Sequence, residues 1–308
     1  MIKTLVGYSG FVGSNLNSQA KFDYLYNSKN IVDSYGTSPD LLIYSGLRAE
    51  KFLANQAPEK DYDNILEAIE NVKKINPKMI VLISTIDVYK KPIAVNEDSA
   101  IETKGLHPYG LNRLKFEQWV ESNFSEHLIV HLPGLYGKNI KKNFIYDLMN
   151  LIPSMLSENK FLELSKKNSS IKKHYLMQDN GFYKCKELNE IERKELKNYF
   201  SKSTFNALNF TDSRGIFQFY NLAYLWKHIN IALKNNIKKL NLATEPVSTS
   251  ELYKYIKNSD FDNKITENPP HYNFKTKHFE LFEGNNGFIF DKNFVLADIK
   301  KFIEESEK

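Results

Sequence analysis

The stretch Ile2-Lys3-Thr4-Leu5-Val6-Gly7-Tyr8-Ser9-Gly10-Phe11-Val12-Gly13-Ser14-Asn15-Leu16 decides the fold. A short apolar run from Ile2 to Val6 ends at Gly7, and apolar residues resume at helical spacing from Phe11 to Leu16. The order is strand, tight turn, helix. Glycines at 7, 10 and 13 suit a turn that aims backbone N–H groups and a helix N-terminus at a pyrophosphate, because side chains there would block its approach. The chain of 308 residues has 13 glycines, and three of them fall on this spacing between a strand and a helix. An ordinary glycine turn is the weaker explanation.

Outward from this turn the same rhythm continues. Strand patterns fall at Phe22–Tyr26, Leu41–Tyr44, Met79–Ile83 and Leu128–Leu132, and helical spacing at Tyr62–Ile75 and from Pro108 to Val120. Little room separates the second strand from the third, so one outer strand-helix unit is shortened or missing. Alternation of this kind specifies an α/β fold, a Rossmann-type doubly wound parallel sheet. Beyond Gly137 the rhythm changes, and the basic, aromatic stretch from Lys138 to about Thr211 shows no dependable alternation. A helix at Leu222–Lys234 and a strand at Leu240–Ala243 read as a return to the sheet. The organisation expected is a dinucleotide-binding domain at residues 1–137 with a return at about 220–245. A smaller C-terminal α+β substrate domain takes 138–219 and 246–308, with no linker and no internal repeat.

Bulk properties narrow the function. A net charge of +5, with lysines scattered among acids, gives no basic stripe and argues against nucleic acid while still suiting an anionic small substrate. No apolar run approaches the roughly 20 residues of a membrane span, and the N-terminus passes straight into the first turn rather than through a cleavable leader. The single cysteine, Cys185, excludes an intramolecular disulfide and reads as a passive thiol. No His/Cys cluster has metal-ligand spacing, so no metal is expected, and the compartment expected is a reducing cytoplasm.

Farther along, a strand ends in Ser84, Thr85, Ile86, Asp87, Val88, Tyr89, and a helix opens with Tyr109, Gly110, Leu111, Asn112, Arg113. With the glycine turn, this Ser-Thr-x-x-Val-Tyr strand end and Tyr-x-x-x-basic helix resemble the extended short-chain dehydrogenase/reductase family of nucleotide-sugar epimerases, dehydratases and reductases. Order and spacing agree over residues 1 to about 140, with weaker echoes in Asn241–Glu245 and Val247–Leu252. The resemblance implies Tyr109 as catalytic acid/base and Thr85 as the hydroxyl that shares the reacting oxygen. An unperturbed phenol titrates near pH 10, so nearby positive charge is expected to lower its pKa. The family has lysine four places after the tyrosine, where this chain has Arg113. Helical spacing sets Arg113 on the face of Tyr109, able to supply charge and hydrogen bonds to the nicotinamide ribose, but not a deprotonating amine. Lys115, six residues on, lies about 240° around the helix.

Cofactor and substrate residues follow from the same resemblance. The cofactor is expected on Gly7, Ser9, Gly10, Phe11, Val12 and Gly13, on Asn27, Ser28 and Lys29, on the turns Ser45-Gly46-Leu47 and Pro133-Gly134-Leu135, and on Tyr109 and Arg113. At the end of the second strand a carboxylate would select NAD through its ribose 2′-OH. Asn27 stands there instead, with Ser28 and Lys29 able to bind a 2′-phosphate, which favours NADP over NAD. Thr85, Asp87, Asn143 and Arg214 are the candidate substrate contacts, Arg214 as a bidentate phosphate grip. Asn143 and Arg214 each have a structural alternative as a loop cap or a solvated charge, and Asp87 either serves elimination chemistry or binds loop backbone amides or caps the following turn. The aromatic run from His174 and Tyr175 to Phe182 and Tyr183 would stack on a ligand or form a packed lid.

The reaction expected is NAD(P)-dependent reduction of a keto-sugar, or oxidation of its alcohol, on a nucleotide-linked sugar. An epimerase is the neighbouring reading, a 4,6-dehydratase a more distant one, and a non-catalytic dinucleotide sensor the reading from another class, kept open by Arg113. The sequence leaves the oligomeric state open, with a homodimer as the commonest assembly.

Overall fold

The computed structural model describes residues 1–306, and the chain divides into two compact units. The larger comprises residues 1–140, 216–248 and the segment from 270 onward; the smaller comprises 141–215 and 249–269.

In the larger unit the glycine turn joins β1 (Lys3–Val6) to α1 (Phe11–Gln19). There follow β2 (Tyr24–Tyr26), β3 (Leu41–Tyr44), α2 (Lys51–Gln56), α3 (Pro58–Ile75), β4 (Ile80–Thr85), α4 (Pro108–Asn123) and β5 (His127–Leu132). The sixth strand, Lys239–Asn241, completes a parallel sheet in the order β2-β1-β3-β4-β5-sixth. Among the described residues no strand flanks β2 on its outer side, and residues 31–34 after it form a short 3-10 turn.

The strands are apolar on both faces because both faces are covered. One core gathers Leu5, Ile43, Val81 and Val130 with α1 and the helix Leu225–Lys234. The other gathers Leu42, Ile80, Leu82 and Ile129 with Ile65, Ile69 and Val72 of α3 and Phe116 and Val120 of α4. Fully burying an aliphatic or aromatic side chain of this kind contributes roughly 1.5–3 kcal/mol. Helix α3 begins with Pro58 at its first position and Glu59 and Asp61 in its first turn, ends with Lys73 and Lys74, and stops at Asn76 in the left-handed conformation with φ +54°. Proline, acids, then bases follow the helix dipole from end to end.

The C-terminal segment belongs to the larger unit, not to the smaller one as expected from the sequence. Hydrogen bonds explain it. Asp298 of the helix Lys292–Ser306 accepts from Tyr136 Oη (2.6 Å), Asn221 Nδ2 (2.7 Å) and Tyr224 Oη (3.0 Å), and Val295, Ile299 and Ile303 are buried. These partners lie on or beside the paired strands Gly134–Tyr136 and Phe219–Asn221.

The smaller unit is ordered where the sequence showed no rhythm. An antiparallel three-stranded sheet, Met155–Ser157, Phe182–Cys185 and Tyr175–Met177, packs with helices Glu158–Lys167 and Glu190–Ser201 around Leu156, Phe161, Leu164, Leu196 and Phe200. The second of these helices starts at a capping box, Asn189 with Glu192. The aromatic run divides: Tyr175 is core and donates to the Pro153 carbonyl at 2.7 Å, Tyr183 is half-buried and stacks on Phe161 with centroids 3.8 Å apart, and Phe182 is exposed. Cys185 is half-buried, and burial pushes its thiol up, away from nucleophilic reactivity. No helix among the described residues is long and apolar enough to cross a membrane.

Candidate active site

Gly7 and Gly13 hold the turn closed. Gly7 has φ +90°, and a Cβ on it would sit 2.5 Å from the Ser45 carbonyl oxygen; one on Gly13 would sit 2.0 Å from the Gly7 carbonyl oxygen. Gly10 begins α1 without a side-chain cap, leaving the first-turn N–H groups of Phe11, Val12 and Gly13 with no intrahelical acceptor. A turn of this geometry at a helix N-terminus suits a diphosphate, and the residues present fit a dinucleotide. Asn27 closes one side, with Nδ2 donating to Ser9 Oγ (3.1 Å) and Oδ1 accepting from Lys29 N (2.9 Å). On the other side Ser45 bonds the Val6 carbonyl through both N (2.9 Å) and Oγ (2.8 Å), which fixes the approach to Gly7.

Thr85 ends β4, on the same carboxyl edge of the sheet as the glycine turn. Its hydroxyl accepts from Asp87 N at 3.2 Å and faces the phenol of Tyr109. Tyr109 is placed by the start of α4, where Pro108 occupies the first turn and His107 caps it, Nδ1 accepting from Gly110 N at 3.0 Å. That bond requires an unprotonated Nδ1. Burial and the charge of Lys51 lower the His107 pKa, against the pull of Asp87, and keep the ring neutral. A second lock is Gly110, whose missing Cβ would lie 2.1 Å from the Asp87 carbonyl oxygen. Asn55 of α2 receives the Tyr109 N–H at 3.0 Å.

Arg113 lies on the face of Tyr109, its Cζ 4.0 Å from the ring centroid. It is also fully engaged elsewhere: NH1 pairs with Asp61, NH2 donates to the Arg48 carbonyl at 2.8 Å, and only 5% of the arginine side chain and 11% of the aspartate are exposed. Asp61 further accepts from Asn112 Nδ2 at 2.9 Å. The expected lowering of the Tyr109 pKa does not occur. Burial raises it most, Arg113 and Thr85 pull it down, Asp87 and Asp61 push it up, and the sum lies above the ordinary phenol. Lys115 stacks on Tyr62 instead, 4.0 Å from its centroid.

Asp87 binds side chains rather than loop amides. Its Oδ1 accepts from Lys51 Nζ at 2.9 Å and from Tyr272 Oη at 3.1 Å. Burial and Asp87 together hold the Tyr272 phenol well above its ordinary pKa, so it stays a donor. Lys51, Asp61, His107 and Tyr272 are site residues that sequence reasoning missed. None of them carried a local signal for the site; His107 is recognisable only as the residue before Pro108 at a helix start.

Asn143 and Arg214 belong to the smaller unit, and each is bonded within it. Asn143 caps the helix Phe144–Asn150, its side chain accepting from Tyr146 N at 3.2 Å. Arg214 grips Asp212 bidentately, Nε to Oδ1 at 2.9 Å and NH2 to Oδ2 at 2.8 Å, and also donates to the Thr266 carbonyl at 2.5 Å. Arg214, with backbone N–H donors from Arg214, Ile265 and Thr266, holds the Asp212 carboxyl well below the ordinary range. The bidentate geometry expected for a phosphate is spent on this neighbour. Gly134 and Leu135 form a short strand paired with Phe219–Asn221, and Leu47 packs against the second core.

No protein-family model matches the sequence, and no curated protein does. Solved structures do match over nearly the whole chain. The dTDP-4-dehydrorhamnose reductase of Bacillus anthracis str. Ames, in complex with NADP, aligns with a TM-score of 0.62 at 15% identity over 99% of this chain and 100% of that one. The dTDP-4-dehydrorhamnose reductase of Yersinia enterocolitica gives 0.63 at 11% identity, covering 99% of each chain. The chain has their fold. It also has that of the UDP-N-acetylglucosamine 4-epimerase of Methanobrevibacter ruminantium M1, solved with UDP-N-acetylmuramic acid, at 0.61 and 10% identity over 98% and 97%. This Rossmann-type fold of sugar-nucleotide reductases and epimerases puts the glycine turn and Thr85 at the carboxyl ends of parallel strands, where ligands of such sheets bind.

Proposed function

We propose that the protein is an NADP-dependent oxidoreductase that reduces the keto group of a nucleotide-linked sugar. The observation that carries this is the buried Tyr109 phenol against the Thr85 hydroxyl, on the sheet edge that also bears the glycine cradle. When bound, NADPH supplies the hydride for such a reduction. The turn residues Gly7, Ser9, Gly10, Phe11, Val12 and Gly13 hold the diphosphate, Ser45-Gly46-Leu47 and Pro133-Gly134-Leu135 border it, and Asn27, Ser28 and Lys29 take the adenosine side without a repelling carboxylate. The Bacillus anthracis relative, which carries NADP, supports that choice.

Thr85 orients the carbonyl oxygen, and Tyr109 gives it a proton. With its pKa raised, the Tyr109 phenol is held in the protonated form from which a ketone reduction starts. An epimerase needs Tyr109 to act in both senses, and a dehydratase needs a base at Asp87, whose carboxylate is bound by Lys51 and Tyr272.

The test is a panel of keto-sugar nucleotides followed by loss of NADPH absorbance. Wild type consumes NADPH steadily, and Tyr109→Phe loses on the order of 10²–10⁴-fold in kcat while NADP still raises the melting temperature. Sugar interconversion without net NADPH loss identifies an epimerase, and binding without turnover identifies a sensor; either result overturns the proposal.

A further inference from the structure

Two ion pairs bracket Tyr109. On its own helix, Arg113 lies over the ring and is paired with Asp61 of α3. After β4, Asp87 is paired with Lys51 of α2 and bonded by Tyr272 of the C-terminal segment. The His107 ring, with its centroid 6.3 Å from that of Tyr109, is neutral. Each charge near the phenol therefore has its opposite beside it. A guanidinium stacked on a tyrosine would by itself favour the phenolate, as any cation within about 4–6 Å favours the ionised form of an acid.

We propose that Asp61 is a positioning residue for the catalytic acid: it fixes Arg113 over the Tyr109 ring and tempers that cation's pull on the phenol, so that Tyr109 stays a proton donor. The geometry is specific. Asp61 is held from two successive residues of α4, Asn112 at 2.9 Å and Arg113, and the other guanidinium nitrogen is fixed by the Arg48 carbonyl. Asp61 is nearly buried, so solvent screens its effect on Arg113 weakly. An acid in the first turn of α3 thus serves the helix dipole and the site together.

This rests on the reductase reading above, and the experiment separates the two. Protein labelled with [13Cζ]tyrosine, without cofactor or sugar, is titrated by NMR, with the Tyr109 resonance assigned by its loss in Tyr109→Phe. In wild type this resonance stays at the phenol position through pH 10, the ordinary midpoint. In Asp61→Asn the midpoint falls below the wild-type value, and Asp61→Glu restores wild-type behaviour. Should Asp61→Asn not fold, Asp61→Ser takes its place in the same titration, with the same fall expected. An unmoved midpoint in the folded variant overturns the proposal even if the enzyme is a reductase. In the catalytic assay, the alkaline limb of the reduction profile, where the phenol loses its proton, moves to lower pH in Asp61→Asn together with the titration midpoint. An equal loss at every pH would make Asp61 merely structural and also overturns the proposal. Absence of turnover with any sugar nucleotide refutes only the reductase reading, since the titration needs no substrate.

Discussion

Gly110→Ala puts the attachment of α4 to the active site to the test. The added Cβ would lie 2.1 Å from the Asp87 carbonyl oxygen, 3.0 Å from its carbon and 3.1 Å from His107 Cε1. Carbon–oxygen contacts below about 3 Å are repulsive, so the start of α4 and the Asp87 peptide must part by about 1 Å. Helix propensity works in the opposite sense, since alanine is favoured over glycine in a helix interior by about 1 kcal/mol. Overpacking of a tight core costs about 1–3 kcal/mol, and the difference leaves the variant destabilised by roughly 0–2 kcal/mol. Its melting temperature falls by up to some 4–8 °C at about 2–4 °C per kcal/mol. Activity responds more steeply, because Tyr109 and Thr85 are carried by the two elements forced apart. A misplacement of about 1 Å costs on the order of 10²-fold in turnover. The measurements are a melting curve and NADPH consumption on the same preparation. A variant that melts above wild type and keeps its kcat would show that propensity alone acts at position 110, and would refute the argument that glycine is there to bring Tyr109 onto the Asp87 turn.

Two further outcomes follow from the site and the core beneath it. His131 is fully buried; burial lowers its pKa, but the charge and hydrogen bond of Glu117 and the bond to Asn241 (2.7 Å) outweigh this and leave it raised. A raised folded-state value means that this stabilisation is complete below the ordinary pH 6.5 and is lost as pH rises through the folded value. Melting temperature should therefore decline from pH 6 toward the alkaline side in wild type, and Glu117→Gln should flatten that slope; an equal slope in both proteins would exclude the pair as its source. Lys51→Met removes the cation that depresses His107, so the His107 imidazole, followed by proton NMR, should titrate at a higher pH than in wild type, with burial still holding it down. No movement would mean that Lys51 does not reach the α4 start.

What was legible in the sequence was what is encoded locally. The glycine turn, the apolar strands and the i, i+4 pair of Tyr109 and Arg113 can each be read within a few residues, and Leu41–Tyr44 was bounded as the structure has it. The partners of those residues were not legible, because they arrive from far along the chain. Tyr272 reaches Asp87 across 185 positions, and Asp61 reaches Arg113 across 52. Asp61 looks in the sequence like any acid in a first helical turn. The pKa of Tyr109 was misjudged for the same reason: the spacing showed the cation, whereas burial and the counter-charge are properties of the fold. Within 141–215 the signals were present but weak, among them Asn189 with Glu192 and the turn Asn180-Gly181 between two strands of three and four residues.

The two-piece construction of the smaller unit has a consequence for how it is made. Its segments, 141–215 and 249–269, are separated by a stretch that contributes the sixth strand to the larger unit. Asp212 ties them: it accepts from Ile265 N at 3.0 Å and Thr266 N at 3.2 Å, and its carbonyl receives the Thr249 hydroxyl at 2.7 Å. During synthesis the first segment must therefore wait, with that buried carboxylate short of its amide donors, until some 50 further residues have left the ribosome. No single contiguous fragment reproduces this unit, and a terminal truncation before Ile265 removes donors from a site encoded well upstream.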